Sequence, residues 1–388
     1  MTATVRVNRK AALRVQSGHP WIFQSDIVDA GDACAGDVVR VMDHASKPLG
    51  TAHYSSTSQI TLRFLSRQAA EDVDGAFYLR RLMAAAELRK LVVRDSEAYR
   101  LVHAEGDFLP GLIVDRYGEY LVLQALDQGM NRAMPEIVSA LVQLCAPLGI
   151  LARNDAAVRA QEFLPREVSV LHGEIPESIH VKMNGLKLHA DLAHGQKTGI
   201  YLDQRENYAA AARLARGQAL DCFTSTGGFA LHLAARCERV EAVDSGVSAL
   251  AMARRNAEAN GIGNVEFREA DVFELLSSYA SARRQFDTVI LDPPAFAKSR
   301  KQIEGAVRGY KDINLRAMRL LRPGGLLVTC SCSHHVSEGQ FLELVAEASL
   351  DAGRTVRVLE RRMQAQDHPV LLTVPETLYL KCLVLQVL

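Results

Sequence analysis

From about residue 200 onward, short apolar strands alternate with helices, and this alternation constrains the fold more than any other feature of the chain. Ala219-Leu220-Asp221-Cys222-Phe223 reads as a buried strand ending in a small-residue loop, followed by a helix over Phe229–Arg236. Arg239–Asp244 reads as a second strand, and Ser248–Asn260 as a helix closed by Gly261. Val265–Phe267, Phe286–Asp292 and Leu326–Cys330 continue the strands. The helices between them span Val272–Ala280 and Tyr310–Leu321, the latter stopped by Pro323-Gly324-Gly325. Strands alternating with helices predict a parallel, doubly wound sheet, which takes its ligands at the C-terminal ends of its strands. The fold class expected is α/β, with a Rossmann-like domain at the C-terminal end.

The first 200 residues read differently. Runs such as Val38-Val39-Arg40-Val41 and Gln59–Phe64, separated by turn signals, suggest a small β-rich barrel over residues 1 to about 70. His19-Pro20-Trp21-Ile22-Phe23 holds the single Trp and reads as a core aromatic cluster. Phe77, Leu79, Leu82, Met83, Ala86, Leu88 and Leu91 recur at helical spacing over 75–95. Gly111–Leu123 reads as a hairpin turning near Tyr117-Gly118, and a helix is expected over about 132–146. The central stretch is therefore α+β.

Of the 388 residues, 45 are Lys or Arg and 45 are Asp or Glu. A net charge of zero does not support a bulk electrostatic clamp on nucleic acid, though a local basic face is compatible with it. No apolar run approaches the ~20 residues of a membrane span. The N-terminus lacks the apolar core of a signal peptide, and the seven cysteines have no disulfide-like spacing. A cytosolic protein with reduced thiols and no membrane partner is expected.

The loop Asp221–Phe229 (DCFTSTGGF) sits where a nucleoside loop belongs, yet it is neither G-x-G-x-x-G nor a P-loop. That argues against a pyrophosphate ligand. Asp244, ending the next strand, is placed to accept both ribose hydroxyls, and Asp271, after the third strand, to meet an adenine amino group. A ligand with a ribose, a base and a cationic group but no phosphate fits this set; S-adenosylmethionine is such a ligand. The expected cofactor contacts are Asp221, Phe223, Thr226, Gly227, Gly228, Asp244 and Asp271, with Asp292 and Pro293 from the fourth strand end. Taken singly, Asp244 or Asp271 reads equally well as a helix cap.

Asp292-Pro293-Pro294-Ala295-Phe296 is stiffened by its two prolines. It can hold carbonyl oxygens and a carboxylate against a planar base, with Pro294 and Phe296 on the substrate side. Thr329-Cys330-Ser331-Cys332-Ser333-His334-His335 follows the fifth strand and has three readings. The thiols are buried packing, or metal ligands, or one is a nucleophile. The C-x₂₋₄-C spacing of a zinc site is absent, so no metal is expected. A nucleophilic thiolate is what C5 methylation of a pyrimidine requires.

At these residues the chain resembles the RlmI-type 23S rRNA (cytosine-5) methyltransferases. The likeness runs through His19–Phe23, Gly106–Arg116 (GDFLPGLIVDR), His194–Arg205 (HGQKTGIYLDQR), Asp221–Phe229, Asp292–Phe296, Arg308–Asn314 and Asp367–Val370. The resemblance implies a PUA domain over 1–73, a central α+β linking domain over 74–190 and an S-adenosylmethionine-dependent methyltransferase domain over 191–388. It assigns the nucleophile to Cys332, with Cys330 as a neighbour, and adds Thr198, Tyr201 and Asp203 to the cofactor contacts. Many RNA cytosine-5 methyltransferases carry a second cysteine just after Pro-Pro; here Ala295 stands there, as in RlmI-type enzymes. Asp292, or a water held by it, is the expected acceptor of the C5 proton. The implied partner is large-subunit ribosomal RNA, and a homodimer is one assembly such a chain can adopt. Lys298, Arg308 and Lys311, in a basic cluster after Asp-Pro-Pro, are the expected phosphate contacts. N-methylation of a purine base, which needs no cysteine, is the enzymatic alternative. A non-catalytic RNA-binding protein is the other.

Overall fold

The computed structural model describes residues 2–388 except 69–70, 194, 196–197 and 298–299, and of residue 300 the backbone alone. The chain forms two compact units. One comprises Met1–Val181, Ala190–Ile200 and Gln366–Thr377; the other comprises Lys182–His189, Tyr201–Ala365 and Leu378–Leu388.

The first unit begins with a six-stranded sheet. Its strands run in the order Trp21–Phe23, Ile60–Ser66, Pro48–Tyr54, Val38–Met42, Thr4–Val7, Ile27–Asp29. Inward residues at every second position, such as Val5, Val7, Val39, Val41, Leu62 and Phe64, make its core. Between its first two strands lies a helix, Arg9–Gln16, that the sequence pattern did not announce. Asn8 caps it by accepting from the Ala11 amide at 2.9 Å, and only Ala11, Ala12 and Val15 face inward. Trp21 is half-buried, not a core residue, and its indole donates to Glu105 Oε1 at 2.8 Å.

A five-stranded sheet follows, in the order Glu167–Gly173, Gly149–Asn154, Tyr120–Ala125, Leu112–Tyr117, Ala98–His103. The predicted helix over 75–95 is Gly75–Val92, capped by the Asp74 carboxylate on the Phe77 amide at 2.8 Å. The predicted hairpin is Leu112–Tyr117 against Tyr120–Ala125. The helix expected over 132–146 is two pieces, Gln128–Arg132 and Met134–Cys145, because Pro135 starts a new helix. Beside the apolar core of this sheet, which packs Leu101, Val114, Leu121 and Leu123 against Phe77, Leu82 and Leu141, lies a buried ionic network. The Arg89 guanidinium donates to both carboxylate oxygens of Asp107, to the Arg100 carbonyl (2.8 Å) and to the Asp367 carbonyl (2.7 Å). Arg100 in turn forks onto Asp115 at 2.8 and 2.9 Å.

The second unit is built on a seven-stranded sheet. Its strands are β1 (Gln218–Cys222), β2 (Arg239–Asp244), β3 (Val265–Glu269), β4 (Phe286–Leu291), β5 (Leu321–Ser331), β6 (Val356–Arg362) and β7 (Lys381–Val387), ordered β3-β2-β1-β4-β5-β7-β6. From β3 to β5 all neighbours are parallel, whereas β7 runs antiparallel to β5 and to β6. Strand order reverses at β1/β4, the switch point at which wound sheets bind ligands. The helices are α1 (Arg205–Leu214), α2 (Gly228–Leu233), α3 (Val247–Ala259), α4 (Val272–Ser281), α5 (Ile303–Leu320) and α6 (Glu338–Ala352). The core packs Leu220, Val243, Val289, Leu291 and Leu327 against Leu276, Tyr310, Ile313 and Phe341. Helix α5 starts seven residues before the predicted Tyr310, since Gly305 and Gly309 mask its onset; a Cβ at Gly309 would lie 3.2 Å from the Phe296 ring.

Candidate active site

Four strand ends build the site. After β1 the chain turns through left-handed φ at Phe223 (64°), Ser225 (50°) and Gly227 (89°), conformations that non-glycine residues rarely adopt. Three bonds hold it there. The Asp221 Oδ2 accepts from Thr224 Oγ1 (2.6 Å) and from the Ala230 amide (2.9 Å), and Asp244 Oδ2 accepts from the Ser225 amide (2.9 Å). Asp244 Oδ1 accepts from the Gly246 amide at 2.8 Å, so this carboxylate ties the β1 loop to the end of β2. Thr226 belongs to the same loop, and its carbonyl accepts from Asn256 at 3.1 Å. Gly228 is small because the Tyr208 ring lies where its Cβ would be, at 2.4 Å.

Asp221 is wholly buried, and its Oδ1 has no hydrogen-bond partner among the described residues. Burial, opposed by its two hydrogen bonds and reinforced by Asp292 and Asp244, pushes its carboxyl up to about 7. Tyr201 senses the same cluster: burial and then the charges of Asp292, Asp203, Cys332 and Asp244 raise its hydroxyl to about 12. These residues, dispersed from 201 to 332 in sequence, are therefore neighbours. Asp203 is buried and accepts from the Tyr379 hydroxyl at 2.8 Å. Asp271 is exposed and caps α4 through Oδ1 at 3.0 Å from the Glu274 amide, so the capping reading is realised.

The fourth and fifth strand ends meet through Ser333. Its buried hydroxyl takes the Ala297 amide at 3.2 Å and lies 3.0 Å from the Tyr310 hydroxyl, binding the Asp-Pro-Pro segment to the segment that carries the cysteines. Cys332 is half-buried, and its Sγ lies 3.9 Å from the Pro293 carbonyl oxygen. Cys330 is wholly buried beside Cys382, and burial with that neighbouring thiol pushes its pKa far up, away from thiolate character. Asp292 Oδ1 accepts from Gln204 Nε2 at 2.9 Å; Gln204 Oε1 accepts from Asn207 at 2.7 Å, which fixes the orientation of the amide. Among the described residues no group of three or more His, Cys, Asp and Glu side chains could hold a metal ion.

Other expected contacts have different partners. Thr198 belongs to the first unit, where its buried hydroxyl donates to Asp115 and lies 2.9 Å from the Tyr117 hydroxyl. Its side-chain hydroxyl is therefore engaged within that unit. Lys311, expected as a phosphate contact, is turned onto α6 and paired with Glu347 and Asp351 at 3.0 Å each. Phe296 is half-buried in a cluster with Tyr310 (4.6 Å between ring centroids), Phe273 (5.8 Å) and Phe223 (6.5 Å), so only its uncovered part can meet a base. Pro294 and Arg308 are exposed, and Lys298 lies outside the described residues. Two residues escaped the sequence reading. Gln204 sits inside the His194–Arg205 stretch but had no assigned role. Lys381 opens a strand that is otherwise uncharged and mostly apolar, and a lone charge in such a run was the available signal.

Residues 5–67 match the model of a PUA-like domain, and residues 110–383 match that of an S-adenosylmethionine-dependent methyltransferase. Proteins named Ribosomal RNA large subunit methyltransferase I align over nearly the full chain. The one from Tolumonas auensis is 42% identical over all of both chains, and the one from Shewanella frigidimarina is 43% identical over 95% of each. The chain belongs to the ribosomal RNA large subunit methyltransferase I family. Solved structures share the fold of this methyltransferase: SMU.776 complexed with SAH, at TM-score 0.86 and 21% identity over all of both chains, and Trm5b from Pyrococcus abyssi, at TM-score 0.53 and 18% identity over 71% of this chain and 74% of that one. S-adenosylmethionine is the cofactor of this methyltransferase. The donor set fits it: Asp292, Asp203 and Asp244 act on Tyr201, and Asp292 and Asp244 also act on Asp221, an acidic cluster that suits a cationic ligand. No helix among the described residues is long and apolar enough to cross a membrane.

Proposed function

We propose that this methyltransferase modifies C5 of a cytosine in large-subunit ribosomal RNA, with Cys332 as the covalent nucleophile. One observation carries the reading: the half-buried Cys332 thiol lies against the Pro293 carbonyl at 3.9 Å, one residue from Asp292, while Cys330 is sealed away. The relatives' name and the PUA-like domain support ribosomal RNA as substrate.

In this reading Asp221, Phe223, Thr226, Gly227, Gly228 and Pro293 wall the cofactor. Asp244 accepts from the ribose hydroxyls, and Tyr201, Asp203 and the second oxygen of Asp271 complete the pocket. When bound, S-adenosylmethionine supplies the electrophilic methyl group that C5 accepts. The cytosine must be unstacked so that its C6 is open to sulfur. The Cys332 thiolate forms an S–C6 bond, and the C5=C6 electron pair shifts to make C5 nucleophilic. After C5 is alkylated, its proton passes to Asp292 or a water held by it, the double bond re-forms and the S–C6 bond breaks, returning the thiolate. Gln204 donates to one Asp292 oxygen and so orients the carboxylate that takes the proton. Pro294, the exposed edge of Phe296 and Arg308 lie on the RNA side. The domain assignment over 1–73, 74–190 and 191–388 gives RNA docking, linkage and chemistry respectively.

A tritiated-methyl transfer assay on ribosomal RNA tests this. Cys332→Ala is expected to abolish incorporation while leaving S-adenosylmethionine binding intact. Full activity in that variant would favour N-methylation of a purine.

A further inference from the structure

Lys381 is a buried lysine with no carboxylate bonded to its ammonium in the described contacts, only 4% exposed. It opens β7 opposite Ser331, the last residue of β5. Its Nζ donates to the Ser333 carbonyl at 2.7 Å and to the Tyr379 carbonyl at 2.9 Å. Burying an ammonium without a carboxylate partner is costly, so the structure has a cation where packing alone would place an apolar residue. The Ser333 carbonyl is one residue beyond Cys332. Lys381 therefore clamps the backbone that carries the thiol, and Ser333 Oγ clamps the same residue from the side of Ala297 and Tyr310.

We propose that Lys381 is a positioning residue for Cys332: its buried ammonium fixes the turn that carries the sulfur and supplies the positive charge that holds it as a thiolate. The thiol proton leaves to solvent and the ammonium keeps its own. The inference rests on Cys332 being the nucleophile. Burial presses the Lys381 ammonium down to about 8, while the charges of Cys332 and Glu338 push it back up. Other groups face this pair. His334, whose ring packs on Tyr379 at 5.6 Å, is held below its ordinary value by burial, by Lys381 and by His335. Tyr201 and Tyr310 are both raised by burial and also feel the Cys332 charge. Asp292, Asp203 and Asp244 share the Tyr201 neighbourhood and oppose a thiolate, so a compensating cation has work that the site's carboxylates cannot do.

The test is peptide-resolved alkylation of Cys332 in the full chain by iodoacetamide between pH 6 and 10. In the unmodified protein the Cys332 profile is expected to have its midpoint below ~8.5, the value of a solvated thiol. Lys381→Met should raise that midpoint by about one pH unit and slow alkylation at pH 7 about tenfold; Lys381→Arg should restore most of the charge effect. A wild-type midpoint at or above that of a solvated thiol overturns the inference without any variant, so a Lys381→Met chain that fails to fold does not shield it. A folded Lys381→Met with an unshifted profile also overturns it. Methyl transfer by Cys332→Ala separates the two ideas. Loss of transfer there with an unshifted Lys381→Met profile sinks only the role of Lys381. Retained transfer with a shifted profile sinks the nucleophile assignment, and with it the catalytic role of Lys381, leaving only its charge effect on Cys332.

Discussion

Asp221 is the residue whose replacement has the most calculable consequence. Its carboxyl is wholly buried at the end of β1 and is raised from 3.8, the value of a solvated aspartate, to about 7. The folded chain thus binds this proton more tightly than the unfolded chain. Below pH ~4 both states are protonated and the residue costs nothing. Between pH ~4 and ~7 the unfolded state ionises while the folded state does not, so stability falls as pH rises; above ~7 the full cost is present. At about 1.4 kcal/mol per tenfold change in proton affinity, that cost reaches about 4 kcal/mol, an upper figure for a site that can relax. Asp221→Asn keeps an oxygen to accept from Thr224 and Ala230 but cannot ionise. Denaturant unfolding of both proteins without cofactor, at pH 4 to 8.5, should show the variant gaining on the native protein by about 2–4 kcal/mol across that range. A difference that stays flat with pH would refute the reasoning. The cationic cofactor should reverse the preference. Its affinity for the native protein should rise with pH through 7, because the ionised Asp221 adds to the field that it meets, and this rise should vanish in Asp221→Asn.

Two further expectations concern packing. Arg89→Ala leaves Asp107 buried without its fork partner and should destabilise the first unit by about 3–5 kcal/mol in denaturant titrations, with Arg89→Lys rescuing little because one ammonium cannot reproduce the planar fork. Ser333→Ala removes the hydroxyl that joins the fourth and fifth strand ends; it should cost about 1–3 kcal/mol by leaving the Ala297 amide unpaired, and lower kcat more than the affinity for cofactor, as measured by methyl transfer and by titration.

The wound sheet was legible because β1, β2 and β4 are buried along most of their length, and parallel strands covered on both faces must be nearly continuous apolar runs. The DCFTSTGGF loop, Asp244 and the Asp-Pro-Pro segment could be placed from their positions at those strand ends. What escaped depends on tertiary contact. The Arg9–Gln16 helix buries three small or branched side chains, too few for a clear period. Lys311 looked free because the carboxylates that neutralise it, Glu347 and Asp351, lie some 40 residues on, in a helix whose packing on α5 is not visible locally. Thr198 lay in a stretch that resembled a cofactor loop, yet its hydroxyl finds Asp115 and Tyr117 more than 80 residues earlier. Gln204 and Lys381 acquire meaning only when the sheet brings residue 204 to residue 292 and residue 381 to residue 333.

The central claim is that a sulfur at position 332 bonds to the pyrimidine ring. Ribosomal RNA transcribed with 5-fluorocytidine offers a C5 that can be alkylated but has no proton to lose, so the S–C6 bond should persist. Incubating it with the protein and S-adenosylmethionine, then digesting and weighing the peptides, should yield a nucleotide-bearing peptide spanning Cys332, absent from Cys332→Ala. A chain that methylates ordinary ribosomal RNA but leaves the 332 peptide unmodified under these conditions would contradict the account.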